Sequence, residues 1–141
     1  MGENKVQRIN PSPIALVAKR VNSVRFDGGP IEPEGEKVKA QFNINNSIAC
    51  KGELDGGQEA LFAKLDLSIE PEDGFCFYSM DLSVTGVFAR SHPDVSESDF
   101  ERAVLTDGMT ELYSYARFVA DALTRDGVFG AVTFPMLRID I

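Results

Sequence analysis

The chain has 141 residues, of which 43% are hydrophobic and 26% charged, the size and composition of one globular domain rather than a disordered chain. A chain of that length buries about two thirds of its unfolded surface and folds to a radius of gyration of about 14 Å without a disulfide or metal staple. Fourteen Lys and Arg stand against 22 Asp and Glu, for a net charge of −8 and a pI near 4.6, which argues against a protein that tracks nucleic-acid phosphates on a basic stripe.

The charge is unevenly spread. Residues 1–30 hold five basic side chains against two acids, and residues 31–141 hold nine against twenty. The acidity thus belongs to the body of the domain, where it serves solubility or steers basic partners. Residues 1–9 are polar and read as loose, and Pro11-Ser12-Pro13 is a stiff approach, so residues 1–13 form a flexible N-terminal segment before a single domain over 14–141. The apolar run Ile14-Ala15-Leu16-Val17-Ala18 is closed at once by Lys19-Arg20, too short for the core of a signal peptide. No window approaches the roughly eighteen apolar residues of a membrane span, so no direct membrane insertion is expected. Cys50 and Cys76 lie in strand-like stretches far apart and read as free, mostly buried thiols of a cytoplasmic protein.

A first strand is expected over residues 16–26, ended by Asp27-Gly28-Gly29-Pro30. Residues 31–37 make an acidic loop. Val38, Ala40, Phe42 and Ile44 then alternate with polar neighbours, the period-two pattern of a half-buried strand reaching toward Cys50 or Leu54. Asp55-Gly56-Gly57 marks a hairpin. In the third strand Leu61, Ala63, Leu65, Leu67 and Ile69 share one side, with Lys64, Asp66 and Ser68 on the other. Pro71-Glu72-Asp73-Gly74 turns into a fourth, with Cys76, Tyr78, Met80, Leu82 and Val84 inward and Phe77, Ser79, Asp81, Ser83 and Thr85 outward. Short Gly-bearing turns between consecutive strands imply an antiparallel meander with one solvated face.

The helices follow. Ser96 or Ser98 is placed to cap a short one, with Ser98-x-x-Glu101 as a capping box, and Asp107-Gly108 ends or kinks it. A long helix starts near Met109 or Thr110 and stops at Asp126-Gly127. Its stripe is Leu112, Tyr115, Ala116, Val119, Ala120 and Leu123, and Gly127 suits the left-handed position past its end. The tail is apolar and alternates from Leu137 to Ile141. The expectation is an α+β domain: a four-stranded antiparallel sheet followed by one short and one long helix.

Chemistry is scarce. The one histidine, His92, sits in a Ser-His-Pro loop. No nucleophile–base pair, clustered metal-ligand spacing or Gly-rich phosphate loop appears, so no catalytic residue, metal or cofactor is assigned. What remains is aromatic surface, from ten Phe and three Tyr. Phe42, Tyr78 and Tyr115 fit the buried stripes and read as packing. Phe62, Phe77, Tyr113 and Phe118 fall off them, and with Phe88 they are the candidates to line a groove or an interface.

The C-terminal block Glu111-Leu112-Tyr113-Ser114-Tyr115-Ala116-Arg117, followed by Thr124-Arg125-Asp126-Gly127-Val128-Phe129, resembles the SecB family of protein-export chaperones. Ser114 stands where that family commonly has Pro. Phe134-Pro135-Met136-Leu137-Arg138-Ile139 is similar to the apolar stretch before the family's final helix, Met80 to Phe88 to its fourth strand, and Lys19 to Asp27 to its first. The resemblance spans about residues 16–139. It implies a cytoplasmic, ATP-independent holdase that keeps unfolded polypeptides competent for export, a dimer or dimer of dimers that docks on the SecA motor. Asp27 and Asp81 match acidic positions that the family turns toward SecA, and Asp66 shares that face. Ser23 and Ser79 depart from the family pattern, residues 30–37 are acidic where the family is aromatic, and the sequence stops where the last helix would begin. A chaperone or adaptor dedicated to one partner, such as an antitoxin, fits the same resemblance.

Overall fold

The computed structural model describes residues 11–30 and 38–135. The expected N-terminal segment up to residue 10, the acidic loop 31–37 and the alternating tail from residue 136 lie outside the described residues. Four long strands form one antiparallel sheet: β1 (Ile14–Asp27), β2 (Ala40–Glu53), β3 (Glu59–Pro71) and β4 (Ser79–Arg90). They lie in the order β1-β4-β3-β2, so β2, β3 and β4 are a meander and β1 adds to its far side, against β4. The architecture is α+β, as the pattern of the sequence implied.

The strands form where the alternation is strictest. In β3, Leu61, Ala63, Leu65, Leu67 and Ile69 are at most 2% exposed, while Phe62, Lys64, Asp66 and Ser68 between them stay half exposed. Met80, Leu82, Val84 and Phe88 of β4 stand beside them on the same inner face. Strand β4 starts at Ser79, three residues later than the pattern suggested, because Cys76 bridges to Val38 instead of joining the ladder. The hairpin after β2 closes with Leu54 N–H donating to Gln58 O at 2.7 Å. The thiols are less covered than expected: Cys50 is exposed and Cys76 half buried, because Cys50 points away from the inner face.

The inner face is roofed by one helical run. Ser96 is the cap: its hydroxyl accepts from Asp99 N–H at 3.1 Å, so the Ser98–Glu101 box does not form. Helix α1 (Glu97–Ala103) passes through a π-helical turn (Val104–Gly108) into α2 (Met109–Thr124). Gly108 does not end the helix. It is helical, φ −63° and ψ −45°, and a Cβ there would sit 3.2 Å from the Phe88 ring. The glycine is where the helix crosses that ring.

The buried stripe of α2 is also rotated from the expected one. Leu112, Tyr113, Ala116, Ala120 and Thr124 are buried, whereas Tyr115, Val119 and Leu123 pack only partly against the core. The segment after the helix decides this, because it folds back over the Tyr113–Thr124 side. There Tyr113 donates its hydroxyl to Pro135 O at 2.6 Å, and the Thr124 hydroxyl accepts from Val132 N–H at 2.8 Å. The left-handed residue is Gly130, φ 74°, not Gly127. Gly127 is required for a different reason: a Cβ there would fall 2.3 Å from the Tyr78 hydroxyl.

Candidate functional site

Two surfaces carry the candidate residues, one on each side of the sheet. The first lies where the segment after α2 meets the ends of β1, β2 and β4. Tyr78, fully buried, donates its hydroxyl to Gly130 O at 2.8 Å and accepts from Phe129 N–H at 2.9 Å. One side chain thereby satisfies the backbone of a segment that has no ladder of its own. Phe77 and Phe129 pack against Tyr78 with ring centroids 5.0 and 5.1 Å away, and Phe26 at 5.4 Å. Phe42 on β2 continues the row, 5.3 Å from Phe134 and 6.4 Å from Phe77. Tilted and edge-on rings at these spacings are favourable packing.

This aromatic edge is not closed. Phe42 is 47% exposed, because α2 lies over β3 and β4 and the helical run meets β2 chiefly through its π-helical turn. Phe118, on the outer side of α2, is 67% exposed and flanks a hollow of about 280 Å³ shared with Ser114, Arg117, Asp121, Thr133 and Phe134. Arg117 and Asp121 give that hollow one charge of each sign.

The candidates sort clearly. Phe77 and Phe118 belong to this edge. Phe88 does not reach any surface: at 1% exposed, it is core, held between Gly86 and Gly108. Tyr113 is likewise 4% exposed and packed under the post-helix segment, and its burial raises the phenol above the usual tyrosine value of 10.0, with nearby Arg117 opposing. Phe42, read from its stripe as packing, is instead half open. Tyr115 is also only partly buried, with Lys19 Nζ 4.8 Å from its ring centroid. The aromatics that pattern did not single out are Phe26, Phe129 and Phe134. The last two lie in an irregular segment without periodicity, so only their apolar surroundings marked them.

The second surface is the outer face of the sheet. Register sets its residues in rows across the strands. Ala18, Val87, Phe62 and Cys50 form one row, and Arg20, Thr85, Lys64 and Ser47 the next. Below them come Ser23, Ser83, Asp66 and Asn45, then Arg25, Asp81, Ser68 and Asn43. Asp27 lies beyond, opposite Ser79, with its carboxylate accepting from Gly29 N–H at 3.0 Å. Asp27, Asp66 and Asp81 are therefore on one face. They do not make it acidic, since Arg25 is Asp81's partner in register and Lys64 Nζ lies 3.7 Å from Asp66. The acidity expected here sits instead on the helical side, at Glu97, Asp99, Glu101, Asp107 and Glu111.

There Lys51 bonds Glu97, which raises the lysine and lowers the carboxyl from their ordinary values, chiefly through that hydrogen bond. An open hollow of about 720 Å³ between Pro13, His92, Asp94, Asp99, Arg102 and Asp107 continues this side. Among the described residues, no three His, Cys, Asp or Glu side chains group as a metal ion requires. No described helix is long and apolar enough to cross a membrane.

No protein-family model and no curated protein sequence matches the chain. Solved structures do. The SecB-like chaperone Rv1957 of Mycobacterium tuberculosis, solved in complex with a peptide from the HigA1 antitoxin, superposes with a TM-score of 0.64 at 13% identity. The match covers 89% of this chain and 88% of that one. A protein of unknown function from Streptococcus agalactiae superposes with a TM-score of 0.52 at 13% identity, over 89% of this chain and 99% of that one. The chain has a SecB-like fold.

Proposed function

We propose that this protein is a binding protein for non-native polypeptides, an ATP-independent cytoplasmic holdase that works without catalysis or cofactor. The observation that carries the reading is the open aromatic edge: a row of rings that ends in the exposed Phe42, with the exposed Phe118 on a hollow shared with Phe134, on a SecB-like fold. Exposed rings offer large contact area at low side-chain entropy cost, and they accept apolar segments of differing sequence. An acidic body speeds the approach of basic, unfolded chains. Phe42, Phe118 and Phe77 are the proposed contacts, with the buried Phe134 as the packed base under Phe42.

Self-association is part of the proposal. On edge strand β1, Leu16, Val17 and Val24 are 37 to 50% exposed, next to the half-covered Tyr115, Val119 and Leu123 side of the helix. Apolar area of this kind on an edge strand is normally covered by a partner. A dimer or dimer of dimers places several weak client sites together and gains avidity through effective concentration.

The test is light scattering of thermally unfolded citrate synthase with and without the protein in excess. Suppression that falls severalfold in the Phe42→Ser, Phe118→Ser double variant supports the reading, and no suppression at any excess sinks it. A second reading, a chaperone dedicated to one partner, is favoured by the antitoxin peptide bound to the Mycobacterium tuberculosis protein. It expects tight binding of one peptide and no effect on citrate synthase. Docking of a SecA-like motor on Asp27, Asp66 and Asp81 belongs to the export role and meets a face that Arg25 and Lys64 bring near neutrality.

A further inference from the structure

The row of Phe62 lies on the face opposite the aromatic edge, so the client reading does not use it. Phe62 is half exposed and its ring leans over Gly52, where a Cβ would come within 2.6 Å of it. Any larger residue at 52 would push the ring upright and fill the space beside it. With the ring laid over, Ala18, Val87 and Phe62 floor a hollow of about 240 Å³, with Arg20 and Thr85 on its rim. An apolar cavity of about 150 Å³ holds a benzene, so this one has room for an aromatic or branched side chain.

The rim is basic and built. Arg20 Nε donates to Asn22 Oδ1 at 3.1 Å, and Asn22 in turn bonds the Thr85 and Ser83 hydroxyls. A register shift between Val21 and Ser23 is what turns Asn22 toward them. The relay fixes the near side of the guanidinium and leaves its two terminal nitrogens for a ligand. No carboxylate of the described residues lies within 4 Å of Arg20, although the chain carries 22 acids, whereas Lys19 on the other face is paired with Glu111. A positioned guanidinium is the preferred partner of a carboxylate, which it binds through two parallel hydrogen bonds.

We infer that this hollow and its Arg20 rim form a second binding site, for an extended partner segment that carries a large apolar side chain and, two residues on, a carboxylate. Spacing carries the argument. The Phe62 row and the Arg20 row are adjacent same-face rows, two residues apart along β1, β3 and β4 and so about 7 Å apart. An extended peptide places side chains i and i+2 on one face at the same separation. The apolar group then enters the hollow while the acid meets Arg20. This ligand has the opposite charge to the basic, unfolded segments proposed for the aromatic edge, and its site does not depend on that reading.

The experiment is an NMR titration of the isotope-labelled full chain with acetyl-Ser-Phe-Ser-Asp-Ser-amide and with its twin carrying Lys for Asp. Saturable shifts should cluster at the amides of Ala18, Arg20, Phe62, Thr85 and Val87, with the Lys twin about tenfold weaker. Arg20→Glu, an exposed position that should fold normally, is expected to reverse the preference while leaving suppression of citrate synthase aggregation intact. Equal affinity for the twins overturns the inference, as do shifts confined to the Phe42 and Phe118 side. Concentration-dependent shifts at the hollow without peptide would give the face to a second copy and overturn it too. The holdase reading fails separately, through loss of aggregation suppression alone.

Discussion

Phe88 and Phe62 are neighbours across the β4–β3 pair, one register step apart, yet they have opposite fates. Phe88 faces the helix and vanishes between Gly86 and Gly108, and Phe62 faces outward and stays half open. The difference is set by the pleat: adjacent positions on a strand go to opposite sides, so one face becomes core and the other becomes surface. A second contrast runs along the chain. Helix α2 covers the inner face over β3 and β4 but not at Phe42 on β2, whose ring meets solvent while packing edge-on against the buried Phe134. An aromatic residue therefore means scaffold or site according to which element lies over it.

Substitution can break that contrast at several strengths. Phe88→Ala is expected to be the most damaging, about 3–5 kcal/mol in urea unfolding, because it leaves a large cavity under the helix. Phe62→Ala should cost less, about 1–2 kcal/mol, since the partly covered ring lies on the open face over Gly52 and its loss leaves no enclosed cavity. If the two cost the same, the assignment of faces is wrong. Gly127→Ala comes next, at about 1–3 kcal/mol, because the new methyl group collides with the Tyr78 hydroxyl that holds the post-helix segment. Its signature should be faster hydrogen exchange at Phe129 and Val132, whose N–H groups are held by Tyr78 and Thr124.

Alkaline pH tests the covered side of α2. Tyr113 is raised above its unfolded value of 10.0 by burial. The folded state thus favours the neutral phenol, and this contribution is complete below about pH 10 and lost as pH climbs through the raised value. Tyrosinate absorbance should carry a late component, together with a fall in melting temperature, and Tyr113→Phe should remove both. Smallest of all is Phe118→Ser, within about 0.5 kcal/mol of the parent because the ring is mostly solvated. It should nonetheless weaken client binding severalfold. A stability loss as large as that of Gly127→Ala would mean that Phe118 is packing rather than site.

The candidate site was only partly legible in the residues. Phe77 and Phe118 fall off the periodic stripes and do reach the aromatic edge, but Phe88 and Tyr113 were drawn inside by elements far along the chain. Phe88 is covered because Gly108 lets a helix cross it, and Tyr113 because the Gly127–Phe134 segment folds back. Phe42 shows the reverse error: its alternation is that of a buried strand face, yet it stands on an edge strand that α2 does not cover at that position. Periodicity reports which side of an element a residue occupies and carries no information on whether that side is roofed.

The sequence by itself determined the α+β class, the four strands, the turns between the last three, and the helices after them. Those depend on local alternation, glycine turns and capping, which act within a few residues. Only tertiary structure decided that β1 joins β4, that the helix continues through Gly108, that the outer face interleaves Arg20, Arg25 and Lys64 with its acids, and that the rings divide between two surfaces. Each of these rests on contacts between residues tens of positions apart, where what matters is the shape and charge of the facing surface rather than any repeat in the chain.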